Sequence, residues 1–112
     1  MSFKLFFTDY SKDQHVRSDE AKAASLDEVV QCMQKLLHEP DNFVGVIDNN
    51  DVMLQFMVED DGSLLVDVPE HDKKGSFTKQ ADLDGCIAIV QALGSEVVME
   101  NIEGLEFKPW GR

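Results

Sequence analysis

The segment Asn42–Pro69, NFVGVIDNNDVMLQFMVEDDGSLLVDVP, decides the fold. Three runs rich in β-branched, aromatic and methionine residues, NFVGVI, VMLQFMVE and LLVDVP, are separated by DNND and DDGS. Such runs, bounded by Asn, Asp, Gly and Ser, read as strands. Asn-Asn and Asp-Gly tolerate the positive φ of tight hairpins, so the segment reads as a three-stranded antiparallel meander. Two-residue turns centred on Asn49-Asn50 and Asp61-Gly62 set a register. One face then carries Phe43, Ile47, Val52, Leu54, Phe56, Val58 and Leu65; the other carries Val44, Val46, Met53, Gln55, Met57, Leu64, Val66 and Val68. Both faces come out largely apolar, whereas a simple meander has one wet side.

Working outward, FKLFF (Phe3–Phe7) reads as a short aromatic strand, and Thr8–Lys22, which lacks periodicity, as a surface loop. In SLDEVVQCMQKLLHEP, Ser25 with Glu28 forms a capping box. Leu26, Val29, Val30, Met33 and Leu37 recur at helical spacing, and Pro40 closes the segment. A second helix is expected over Asp82–Leu93, with Asp82 as N-cap and Gly94 as its stop, although Gly85 sits in its first turn. The tail EVVMENIEGLEFKPW suggests short extended pieces, with Trp110 buried as an anchor. The order is β-α-β-β-β-α-β: an α+β domain spanning residues 1–112, with an antiparallel sheet, a central three-stranded meander and two amphipathic helices.

With 112 residues the chain buries roughly two-thirds of its unfolded surface around one core. Cys32 and Cys86 fall on apolar helical stripes and read as buried free thiols. The opening MSFKLFFTDY has too short an apolar run for a signal peptide, and no run reaches membrane-span length. A cytoplasmic location is expected.

The motifs of catalysis are missing from the chain. His15, His38 and His71 lack metal-ligand spacing with another His or Cys, and the acidic turns do not follow the calcium-loop spacing. There is no GxSxG, P-loop or GxGxxG. Cys86 lies on an apolar stripe of an acidic chain, the opposite of the electropositive setting a reactive thiol needs. The one local cation cluster, Lys73, Lys74 and Lys79, makes no basic patch for nucleic acid. A non-enzymatic protein without cofactor or metal is expected.

Charge is the informative feature. Lys+Arg 10 against Asp+Glu 22 give a formal net charge of −12. From Leu36 to Asp72 there are ten carboxylates and no Lys or Arg, and Gln80–Phe107 is also free of both. Such a field repels nucleic acid and anionic membrane, and speeds encounter with cationic proteins. Halophilic adaptation or solubility alone is the competing account. If the charge serves binding, the contact residues are Asp48, Asn49, Asn50, Asp51, Asp60, Asp61, Glu70 and Asp72, at the turns of the meander.

The helix SLDEVVQCMQKLL, the segment DNFVGVIDNNDVMLQFMVEDDGSLLVDV, a second helix and a closing LEFKPW, together covering about residues 25–110, resemble the small immunity proteins of bacterial polymorphic toxin systems. The group includes the immunity protein of the double-stranded-DNA cytosine deaminase toxin. The resemblance implies a non-enzymatic antitoxin that occludes the active site of one cognate basic toxin, such as a nuclease or deaminase. It carries no residue assignment with it. The other expectation is a small structural or regulatory adaptor, or a homodimer joined through the second apolar face of the sheet.

Overall fold

The capping box at Ser25 is complete in the computed structural model, which describes residues 2–94 and 96–110. The Glu28 N–H donates to Ser25 Oγ, and Glu28 Oε1 accepts from the Ser25 N–H. Two of the orphan donors that every helix start carries are thereby satisfied, and α1 runs over Leu26–Leu36. Its buried face is Val29, Met33 and Leu36. Helix α2 (Leu83–Ala92) starts where Asp82 Oδ1 accepts from the Gly85 N–H at 2.7 Å, and buries Cys86 and Val90. Gly85 belongs there: a Cβ at that position would lie 3.0 Å from the capping oxygen.

The architecture is α+β, as the sequence implies, but with more strands. In chain order they are β1 (Ser2–Asp9), β2 (Gln14–Val16), β3 (Lys22–Ser25), β4 (Phe43–Ile47), β5 (Met53–Val58), β6 (Leu64–Glu70), β7 (Gly75–Ala81) and β8 (Glu106–Pro109). All pair antiparallel in one sheet ordered β2-β1-β4-β5-β6-β7-β8, with β3 beside β2 on the same edge of β1. Thr8–Lys22 is therefore no plain loop. It folds back once along β1 as two short strands in line, with a 3-10 turn at Ser18–Glu20 between them. At the other edge lies β8, whose described side chains are all exposed and which ends on Pro109.

The hairpin turns are wider than two residues. Asp48–Val52 and Glu59–Ser63 each close around three inner residues, the last in the left-handed region: Asp51 at φ 63 and Gly62 at φ 89. Ile47 thus pairs with Met53 and Val58 with Leu64, one residue away from the two-residue register. A slip of one residue turns every side chain to the opposite face. The helix-covered face is Val44, Val46, Leu54, Phe56, Val58, Leu64, Val66 and Val68, all buried in one core with Val29, Met33, Leu36, Cys86 and Val90. The mixed faces expected from the sequence resolve into one fully buried face and one uncovered face.

Two further features lock the sheet to its layers. Asn42 is 1% exposed; its Nδ2 donates to Leu36 O and Asp9 Oδ1, and its Oδ1 accepts from the Tyr10 N–H. One amide side chain thus joins the ends of β1 and α1 to the start of β4. On the uncovered face, Phe6 lies flat over Gly45, and a Cβ there would meet Phe6 Cζ at 2.0 Å. Phe6 is buried without joining the core under the helices.

Trp110 is not the buried anchor expected of it. It is 45% exposed, its indole N–H donating to Ser76 Oγ at 2.9 Å and its ring 5.3 Å from that of His71. The tail is held instead by β7–β8 pairing and by Phe107, whose ring covers Gly75 and lies 5.3 Å from that of Phe77. No helix among the described residues is long and apolar enough to cross a membrane.

Candidate functional site

The meander alternates direction, so its acidic turns fall at opposite ends of the sheet. At one end the β4–β5 loop meets the end of β6 and the segment Val97–Glu100. Between them lies an open cleft of about 460 Å³, lined among others by Asp51, Glu70, His71, Asp72 and Glu100 and by no Lys or Arg. Asn49 and Asn50 form the exposed tip of the same loop. At the opposite end are Glu59, Asp60 and Asp61. The expected contact residues are thus two groups: Asn49, Asn50, Asp51, Glu70 and Asp72 at one end, Asp60 and Asp61 at the other.

Asp48 belongs to neither group. It is 2% exposed, and its carboxylate is used internally. Oδ1 accepts from the N–H groups of Asn50 and Val52, both at 2.9 Å, and Oδ2 accepts from the Val97 N–H at 2.8 Å. A turn that widens to three inner residues leaves N–H groups pointing inward, and a carboxylate is the acceptor that takes several at once. Asp48 therefore shapes the hairpin and pins Val97 to it; it is not a surface charge.

Of the exposed turn carboxylates, Asp61 is held ionised by local donors. Asp61 accepts from the Ser63 hydroxyl at 2.6 Å and from the Ser63 N–H at 2.9 Å, which lowers its pKa below the ordinary 3.8. Among the described residues the ion pairs are His15–Asp13, Arg17–Asp19 and Lys108–Glu106. None draws on a carboxylate between residues 36 and 72. Lys79, a member of the sequence's cation cluster, donates instead to the backbone oxygen of Glu103 at 2.6 Å, and Lys73 sits over the Phe77 ring.

Two features lay beyond sequence reasoning. Glu100 joins the cleft from a 3-10 turn (Met99–Asn101) that has no sequence signature. Asp67, in the middle of the uncovered face, accepts from Gln55 Nε2 at 3.3 Å through Oδ2, while its buried Oδ1 has no partner. The three-residue turns are what set Gln55 rather than Phe56 opposite it. Among the described residues no three His, Cys, Asp or Glu side chains converge as a metal site. The thiols offer no nucleophile: burial pushes Cys86 up to about 12 and Cys32 up to about 11. Cys86 is buried as expected, whereas Cys32 is half-buried beside a shallow depression lined by Leu5, Phe7 and Lys35. Comparison with protein-family models, curated proteins and solved structures finds no match.

Proposed function

We propose that this chain is a cytoplasmic antitoxin of the immunity-protein kind, which binds a basic toxin domain such as a nuclease or deaminase and blocks its active site. One observation carries the reading: a rigid antiparallel sheet presents acidic groups at both strand ends, and none of the carboxylates between residues 36 and 72 is matched by an internal cation among the described residues. Unmatched charge costs stability through self-repulsion. Its return is rapid capture, because the Lys and Arg with which a nuclease or deaminase holds phosphates are the complement of such a surface. The resemblance of residues 25–110 to immunity proteins points the same way.

The test is co-expression with the C-terminal domain of the protein encoded by the adjacent upstream gene. Protection of the host and co-purification of the two chains are expected. Reversing Asp51, Asp60, Glu70 and Asp72 to Lys should leave the fold intact, since all four lie at turns or strand ends and make no ion pair among the described residues. Association should slow at least tenfold at low salt, with the difference shrinking once the Debye length falls below about 8 Å. Unchanged association at every salt concentration would reduce the charge to a solubility device.

A further inference from the structure

Both helices lie on one side of the sheet, and the other side is bare. Phe43 and Ile47 of β4, Met53 and Met57 of β5, and Leu65 and Pro69 of β6 share that side. Each is half-buried by its neighbours, and none joins the core under the helices. Cross-strand pairing groups them into two clusters, Ile47–Met53 and Phe43–Met57–Leu65, on either side of a middle row in which Gln55 pairs with Asp67. Three strands at about 4.8 Å and five residues at about 3.3 Å make a plane of roughly 240 Å² before side-chain relief. By area alone a monomer leaves such a patch wet; the charge around and within the face is what marks it out.

The rim says what covers it. At the Ile47–Met53 end stand Asp51, Glu70 and Asp72, with Lys4 beside Ile47; at the Phe43–Met57–Leu65 end stand Glu59, Asp60 and Asp61. Because both ends are acidic, a second copy laid face to face in either aligned orientation sets carboxylate against carboxylate. Each copy also brings a net charge of −12 and an Asp67 in the middle of the face. The balance of charge disfavours self-association.

We propose that the bare face is the docking surface for a basic protein partner with two banks of Lys and Arg about 20 Å apart, the span of a six-residue strand with its turns, apolar side chains between them and a cationic group opposite Asp67 at the middle. This rests on the antitoxin reading and adds the surface and the shape of the complement. Met57 and Leu65 would be apolar anchors beside the middle row, and the acidic ends the steering and orienting rim.

The experiment uses the adjacent-gene C-terminal domain as probe and measures its affinity for the full chain and for four charge-matched variants. Met57→Lys and Leu65→Lys alter the bare face; Gln34→Lys and Gln91→Lys alter exposed positions on the helices. The face variants are expected to lose at least 100-fold in affinity and the helix variants less than threefold. Methyl resonances of Met53 and Met57 in the unmutated chain should shift on binding while that of core Met33 stays, a readout immune to misfolding of a variant. A wild-type chain that binds while the face variants bind equally and both methyls stay still overturns the face assignment and leaves the antitoxin reading standing. A wild-type dimer split by Met57→Lys gives the face to a second copy and overturns the proposal. A wild-type chain that neither protects nor binds overturns the antitoxin reading and the face proposal together.

Discussion

Replacing Asp48 by Ala removes an acceptor that serves three backbone N–H groups, and the cost can be worked from their surroundings. The N–H groups of Asn50 and Val52 lie in a part-buried loop that water re-enters, so each loses about 1 kcal/mol. The Val97 N–H is buried, and leaving it unpartnered costs about 2 kcal/mol. The sum, about 4 kcal/mol, is about a quarter or more of the stability of an ordinary domain of this size. At about 4 °C per kcal/mol for 112 residues, the melting midpoint should drop by about 16 °C. Asp48→Asn keeps one oxygen but turns an NH₂ towards Val97, so roughly half that loss is expected. The assays are thermal unfolding by circular dichroism and hydrogen exchange at Val97, whose amide should lose its protection in Asp48→Ala. A loss under about 1 kcal/mol, or an unchanged Val97 amide, would refute the assignment of Asp48 as an internal acceptor.

Three other measurements bear on the structure. Both thiols should stay reduced and slow towards maleimide at pH 7, with half-buried Cys32 reacting before Cys86 as pH rises towards 10; rapid labelling of Cys86 would contradict its packing. The carboxyls of Asp9, Glu28 and Asp61 sit below their ordinary values, chiefly through the Ser11 hydroxyl, the Ser25 N–H and the Ser63 hydroxyl respectively. A depressed folded-state pKa contributes stability above the unfolded value and loses it as pH falls through the folded one, so the midpoint should hold from pH 7 to about 5.5 and decline below about 4.5; a midpoint that rises down to pH 3 would overturn this. Gly45→Val should cost about 2–3 kcal/mol, since Phe6 must leave its place over Gly45; an unchanged urea midpoint would show that the ring is free to move.

Local chemistry that one residue carries was legible in the sequence. The Ser25–Glu28 box, the Asp82 cap and the positions of both hairpins are each set by side chains bonding to backbone a few residues away. Register was not, because it depends on whether a turn holds two residues or three. That choice is made by Asp48 and Asp61, whose carboxylates take turn N–H groups. Strand β7 escaped notice because GSFTKQA offers only Phe77 and Ala81 as apolar side chains on the core side; it is a strand because β6 and β8 pair with both of its edges. The acidity of the candidate site was visible at once. The bare face opposite the helices was not, since one residue of register separates it from the core.

The two borders of the sheet bear on how the chain behaves in bulk. A sheet with a bare apolar side is a hazard when its outer strands offer long rows of free N–H and C=O groups on which other chains can stack into fibrils. Here one border is cut into strands of three and four residues by the turn at Ser18–Glu20, and the other ends on Pro109, which has no N–H to give. Seeding is denied at the margins, so the apolar side can stay open without making the protein amyloid-prone at high concentration. An inhibitor that must be stocked ahead of its target, as proposed above, requires that tolerance.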